Sequence, residues 1–367
     1  MLVSLFFTNF VNMIDELYYD SLDLLRKMIR IPSPSREEHA VADLLESQTA
    51  QWGLAPTRHG NNVWCTAPGY DPAMPTLLLN SHIDTVRPAD GWTHDPHEAT
   101  ETDDERIYGL GSNDAGASVV TLLATFRYLA DRERPYNLIF LASCEEEVSG
   151  KGGIEAVLPL LPRIDVAIVG EPTGMQPAIA EKGLMVLDGT ITGIAGHAAR
   201  NEGENAIYNA IDVINALRHA ALERQSTLLG PVKVSVTQIE AGRQHNVVPD
   251  VCRIVVDVRT TDAYTNEETL ELLRGIAGDK CTLVPRSTRL GPSAISPDHP
   301  LVRRLGILGK EPFGSPTLSD QALMPFPSLK IGPGDSARSH TADEYIEKWE
   351  LRDAIQTYIT LLDGCHI

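Results

Sequence analysis

The sequence predicts an α/β protein in which a mixed sheet is flanked by helices and interrupted by an inserted α+β segment. Two observations carry this. The apolar runs Thr76–Leu79, Asn137–Ala142 and Val166–Val169 are short and separated by segments of helical periodicity such as Ser118–Leu129. Continuous rather than alternating apolar runs are what strands buried on both faces require. Beyond Gly183 the pattern changes to a β-α-β-β-α-β order, which is that of a ferredoxin-like domain.

In chain order, Tyr18, Leu22, Leu25 and Met28-Ile29 recur at helical spacing from Asp15 onward. That helix is expected to end near Ile31-Pro32, because a residue before proline is pushed out of the α region. Ser35-Arg36-Glu37-Glu38 reads as a capping box opening a second helix through about Trp52. In the insert, Leu184–Thr192 reads as a strand. Asn205–Leu222 reads as a helix with Ile207, Ala210, Ile211, Ile214 and Leu217 on one stripe. Strands Val232–Ile239 and Cys252–Val258, helix Asn266–Ile276 and strand Cys281–Val284 complete it. From Pro292 the chain returns through Leu301–Leu308, strand Ser328–Ile331 and a final helix Lys348–Leu362. The expected organisation is one domain in two segments, 14–182 and 292–367, with a second domain, 183–291, inserted between them.

Composition narrows the function classes. With 43% hydrophobic and 22% charged residues, the chain has the balance of a soluble protein with a real core. Its net charge of -19, from 50 acidic against 31 basic residues, repels phosphate backbones and anionic membranes. No nucleic-acid or membrane partner is expected, whereas a small anionic substrate remains compatible with a local Arg or Lys. The five cysteines, Cys65, Cys144, Cys252, Cys281 and Cys365, are scattered and form no CxxC pair. Neither a disulfide framework nor a thiolate zinc site follows, and a reducing, cytoplasmic setting is expected. The first thirteen residues are apolar but carry no Lys or Arg and no small-residue cleavage site. They are too short to span a bilayer and read as an upstream start or short extra segment ahead of Met13, rather than a signal peptide.

The residues that carry chemistry fall just after predicted strands. His82 and Asp84 follow Leu77–Asn80, Glu145-Glu146-Glu147 follow Asn137–Ala142, and Glu171 follows Val166–Gly170. His340 follows Ser328–Ile331, and Asp114 sits in the loop Gly109–Gly116 ahead of a helix. In such sheets ligands bind beyond the carboxyl ends of the strands. Two imidazoles with several carboxylates form a mixed N/O donor set suited to zinc, with cobalt or manganese as substitutes. Singly, each residue has a plainer reading: a solvated histidine, a charged surface run. Three adjacent glutamates directly after an apolar strand need another reason, and a bound dication is one.

The motifs His82-Ile83-Asp84, the Asp114 loop, Glu145-Glu146-Glu147, Gly170-Glu171-Pro172-Thr173 and His340-Thr341-Ala342-Asp343-Glu344 resemble the M20 family of zinc peptidases and deacylases. The resemblance runs from about residue 15 to the C-terminus, insert included. It implies a zinc-exopeptidase-like fold whose insert serves as a dimerisation or lid domain. It further implies that His82 and Glu171 hold one Zn2+, Glu147 and His340 the other, and that Asp114 bridges them. Asp84 would accept the other ring N–H of His82, and Glu146 would be the general base that takes a proton from water and passes it to the leaving amine. The family's triplet is commonly Asp-Glu-Glu, so a shift of base and ligand by one residue is the alternative.

In the insert, Gly196-His197-Ala198-Ala199-Arg200 resembles the family's segment supplying an oxyanion-stabilising histidine. His197 would reach a neighbouring subunit, implying a homodimer through 183–291. Asn246 and Arg259 match substrate-contacting positions, and Arg259 suits a carboxylate because guanidinium pairs with it bidentately. The plainer reading of Arg259 is a strand-end salt bridge. Lys182 and Ser319 are the further candidates for lining the substrate space. Ser315-Pro316-Thr317-Leu318-Ser319-Asp320 departs from the Gly-Gly-Thr-Ser-Asp run of the desuccinylase branch, and Gly332–Tyr345 looks closer to the acetylornithine deacetylase branch. The expected activity is hydrolysis of a small N-acyl amino acid, N-acetyl- or N-succinyl-ornithine or -citrulline, in arginine biosynthesis. Succinyl-diaminopimelate desuccinylase, an M20 dipeptidase or aminopeptidase, and an inactive binding relative are the rivals. A nucleotide site is not expected, since Gly109–Gly116 lacks both the dinucleotide fingerprint and a P-loop lysine.

Overall fold

A computed structural model describes residues 2–200 and 202–367, with side chains in the first helix from residue 12 onward. The apolar segment ahead of Met13 thus has its side chains, up to residue 11, outside the described residues. The chain divides into two compact units. The first comprises Met1–Ile179, Ile295–Phe313 and Ser319–Ile367, and the second Ala180–Ala294 with Gly314–Leu318.

The first unit is built on a mixed sheet. Its strands run in the order Pro56–His59, Asn62–Thr66, Asn137–Ser143, Thr76–His82, Val166–Val169 and Ser328–Lys330, with Ala178 paired antiparallel to Lys330. The four from Asn137–Ser143 to Ser328–Lys330 are mutually parallel, and antiparallel strands flank them. These four are fully buried. Leu77, Leu79, Leu138 and Phe140 enter one apolar core, whereas Leu78, Ile139 and Leu141 enter another on the opposite face. Alternate residues of a strand point to opposite faces, so an unbroken apolar run is the sequence of a strand covered on both. Helices Leu2–Ile29, Ala117–Ala130 and Lys348–Leu362 contribute Leu17, Leu22, Leu25, Val120, Leu123, Ile355 and Tyr358 to the first of these cores.

A three-stranded antiparallel sheet, Thr100–Glu101, Arg106–Tyr108 and Tyr345–Glu347, pairs Tyr108 with Tyr345. This sheet and the hairpin at residues 56–66 were not expected from the sequence. Their strands are two to five residues long, too short to show a period.

In the second unit the strand order is Lys233–Ala241, Val251–Thr260, Gly183–Thr192, Cys281–Pro285, all antiparallel. Helices Ala206–Arg218 and Asn266–Ala277 pack their Ala210, Leu217, Leu270 and Leu273 with Leu187, Ile254, Val256 and Leu283 of the sheet. Asn205 caps the first helix through Ile207 N–H at 2.9 Å, and Thr265 with Glu268 forms a capping box on the second. The first helix ends at Arg218 rather than Leu222, and Ile211 of the expected buried stripe is 52% exposed.

One expectation fails instructively. Helix His39–Gln51 has Glu38 at its N-cap and no capping hydrogen bond from a side chain. Ser35 does not cap it; its hydroxyl donates to Asp84 Oδ2 at 2.7 Å. Glu38 instead accepts the N–H of Arg36 at 2.6 Å and of Glu145 at 3.2 Å. The residues that imitate a capping box are drawn to partners distant in sequence.

Candidate functional site

The four parallel strands are in register so that their carboxyl ends fall together. His82 lies opposite Ser143, and Val169 lies opposite both Asn80 and Lys330. The segments leaving those ends carry Glu145–Glu147, His82 with Asp84, Glu171, and His340. Asp114 comes from the turn just before helix Ala117–Ala130.

These groups converge. His82 Nε2 is 3.1 Å from Asp114 Oδ1 and 3.8 Å from Glu171 Oε1. His340 Nε2 is 3.0 Å from Glu147 Oε2 and 3.6 Å from Asp114 Oδ2. The two oxygens of Asp114 therefore face two different imidazoles. His82, Asp114 and Glu147 each place a donor atom within 4.8 Å of the others, the arrangement of a cation site. Among the described residues no Lys or Arg forms an ion pair with Asp114, Glu146 or Glu147. Carboxylates gathered around two imidazoles form a setting that a bound cation would neutralise. The donor set fits metal ions, and a carboxylate with one oxygen toward each histidine fits a pair of them.

The glutamate triplet is sorted by its backbone. Glu145 sits at φ 57° and its carboxylate turns back to accept Gly152 N–H at 3.3 Å. A Cβ on Gly152 would come within 2.3 Å of that carboxylate, so a larger residue there would displace the Glu145 side chain. Asp84, 1% exposed, accepts Glu146 N–H on Oδ1 at 3.0 Å and Glu147 N–H on Oδ2 at 3.1 Å. With Glu38 taking the N–H of Glu145, all three successive amides end on buried carboxylates. Glu147 thereby meets His340, while Glu146 points among other acids. Burial, opposed by His82 and reinforced by Glu171, Asp320 and Glu147, pushes the Glu146 carboxyl well above the ordinary carboxylate range. His82 Nδ1 lies 2.9 Å from the Asp84 carbonyl oxygen and 3.5 Å from its carboxylate. The main-chain oxygen is thus the nearer partner of that nitrogen.

The remaining candidates are divided between the two units. Ser319 is buried in the first unit, its hydroxyl accepting Gln321 N–H at 3.3 Å. Lys182, His197, Asn246 and Arg259 belong to the second unit. His197 is exposed, its Nδ1 accepting Ala199 N–H at 3.1 Å. Arg259 is clasped by Asp257 through Nε at 2.9 Å and Nη2 at 3.2 Å, the strand-end salt bridge set against its anchoring role. The neighbouring cations Lys233 and Arg259 add to burial in lowering the pKa of Lys182.

Several residues of this site escaped sequence reasoning. Glu38, Glu344 and Asp320 are buried carboxylates that look like surface charges in sequence. Glu344 accepts the amides of Asn113 and Asp114 at 2.8 and 3.0 Å, and Asp320 accepts the Ser143 hydroxyl at 2.5 Å.

Comparison with known proteins decides the lineage. Residues 78–364 match the model of peptidase family M20/M25/M40. The chain belongs to this family. Acetylornithine deacetylase of Klebsiella pneumoniae strain 342 is 30% identical over 367 aligned residues, covering 89% of this chain and 92% of its own. The enzyme of the same name from Shigella sonnei strain Ss046 is 30% identical over 363, with the same coverage. Aminopeptidase PepT of Bacillus cereus has the same fold, with a TM-score of 0.74 at 17% identity, covering 94% of this chain and 98% of its own. So does the YXEP protein of Bacillus subtilis, described as a dinuclear metal-binding peptidase of the M20 family. Its TM-score is 0.71 at 16% identity, over 95% of this chain and 98% of its own. As a member of the M20 family with deacetylase relatives, the chain is a hydrolase. No helix among its described residues is long and apolar enough to cross a membrane.

Proposed function

We propose that this M20 hydrolase cleaves the amide bond of a small N-acyl amino acid of the N-acetyl- or N-succinyl-ornithine or -citrulline type. In this reading it serves arginine biosynthesis in the cytoplasm, with two Zn2+ that Co2+ or Mn2+ can replace. The observation that carries it is the Asp114 carboxylate, with one oxygen toward His82 and the other toward His340, beside a Glu146 that faces neither histidine as a hydrogen-bond partner. The relatives named acetylornithine deacetylase support an N-acyl amino acid as the substrate.

His82 and Glu171 would hold one cation, Glu147 and His340 the other, with Asp114 between. When bound, such a pair polarises an amide carbonyl and acidifies water. Glu146 takes a proton from the attacking water and delivers it to the nitrogen of the leaving amine. Its buried setting raises its affinity for that proton, as a group that must both take and return it requires. Asp84 and Glu38 hold the backbone of the triplet so that residues 146 and 147 keep separate tasks.

His197 is assigned to the developing oxyanion of a neighbouring subunit's substrate. Asn246, Lys182, Ser319 and Arg259 are assigned to the substrate itself, with Arg259 shared between Asp257 and a carboxylate. A homodimer through the second unit is supported by Tyr208 and Ile211 on the outer side of helix Ala206–Arg218, 69% and 52% exposed, and by Ile239 on the edge strand Lys233–Ala241, 59% exposed. Unpaired edges and exposed apolar groups are what a second copy covers.

The test is a panel of N-acetyl-ornithine, N-acetyl-citrulline, N-succinyl-ornithine, N-succinyl-diaminopimelate and dipeptides, assayed with zinc or cobalt. Turnover best on an N-acyl-ornithine or -citrulline supports the reading. Preference for dipeptides or the diaminopimelate moves the chain to another branch of the family, and no hydrolysis of any of them defeats the assignment.

A further inference from the structure

The loops of Asp114 and His340 come from opposite ends of the sequence, 226 positions apart, yet they are joined at several points. Pairing of Tyr108 with Tyr345, and of Gly109 N–H with the Glu344 carbonyl at 2.9 Å, lays their stems side by side. Beyond the stems two side chains make the joint: the Glu344 carboxylate, which accepts the Asn113 and Asp114 amides at 2.8 and 3.0 Å, and the side chain of Asn113. Asn113, fully buried, donates through Nδ2 to the Asp335 carbonyl at 3.1 Å and the Ser339 hydroxyl at 3.2 Å, and accepts Asp335 N–H on Oδ1 at 3.0 Å. Every polar atom of its amide is engaged by the segment that ends in His340. Gly334 is shaped around it: a Cβ there would come within 2.2 Å of Asn113 Oδ1, and its φ of +90° favours glycine independently. The Ser339 hydroxyl also acts on the Asp114 carboxylate, favouring its charged form. One side-chain amide thus ties Ser339, the residue before His340, to Asn113, the residue before Asp114. His340 itself is 53% exposed and at φ +60°, so its ring is placed by its loop rather than by packing.

We propose that Asn113 is a positioning residue that staples the His340 loop to the Asp114 loop and so presets the spacing of His340 and Asp114 for the cation shared with Glu147. The inference rests on the two-cation reading given above. A ligand outside the packed core must be held by its neighbours or lose entropy on binding, and partners of metal ligands typically matter by about 10- to 100-fold in affinity.

The experiment titrates metal-free protein with Zn2+ by calorimetry and counts bound metal after desalting, with a thermal melt of each metal-free variant. Wild type is expected to take up two equivalents. Asn113→Ala is expected to keep the first and bind the second about 10- to 100-fold more weakly, while the metal-free melting temperature stays close to wild type. Should Asn113→Ala fold poorly, Ser339→Ala decides, because it removes one hydroxyl from a partly exposed position; a several-fold weaker second equivalent supports the staple. Two equivalents bound as tightly as in wild type by either well-folded variant overturn the staple alone. Fewer than two equivalents in wild type overturns the two-cation reading and the staple with it.

Discussion

The backbone amide of Glu146 donates to Oδ1 of Asp84 at 3.0 Å, and the other oxygen of the same carboxylate takes Glu147 N–H. One buried side chain therefore fixes both the proposed base and the proposed ligand. A shift of the triplet by a single residue would break both bonds at once.

The Ser35 hydroxyl is the third donor to Asp84, and its removal is the gentlest way to loosen this arrangement. Ser35→Ala is predicted to cost about 1.5–3 kcal/mol, the usual range for a hydrogen bond to a charged group, and to lower turnover. Amide exchange in helix His39–Gln51 should be unchanged, since Ser35 does not cap it. Fraying of that helix with normal turnover would show the opposite role.

That case marks the boundary of what was legible in sequence. The parallel strands were visible because burial on both faces writes an unbroken apolar run, and Val166–Val169 and Lys348–Leu362 fall at the expected residues. His82, Asp114, Glu147, Glu171 and His340 could be proposed because loops leaving parallel strands gather at one edge and because the motifs around them resemble the M20 family. Ser35, Glu38, Asn113 and Glu344 were not visible as parts of the site. Each bonds to a backbone or carboxylate 49 to 231 positions away, and local spacing carries no trace of such a partner.

Asp320 gives a pH signature. Burial pushes its carboxyl from 3.8 up to about 6. Between those values the native state holds a proton that the unfolded chain has released, so this group removes stability as pH rises through the window and adds no further change above it. Asp320→Asn should therefore gain stability over wild type progressively from about pH 4 to 6, then hold that gain. Urea unfolding of the metal-free proteins at several pH values reads this. Parallel stability curves for the two would contradict it.

The second unit makes a separate prediction. Replacing Tyr208 and Ile211 together by Asp puts charge on two exposed apolar positions without touching the core residues Ala210 and Leu217. Analytical ultracentrifugation should show a dimer for wild type and a monomer for this variant. A monomeric wild type, or a variant dimer of undiminished affinity, would remove the proposed interface.

The central claim is the division of labour inside the triplet, and paired substitutions with metal counting test it most directly. Glu146→Gln should keep two cations and lose about 10²- to 10⁴-fold in kcat, the usual worth of a general base. Glu147→Gln should lose a cation. A Glu146→Gln protein that sheds metal beside a Glu147→Gln protein that retains it and turns over poorly would contradict the account.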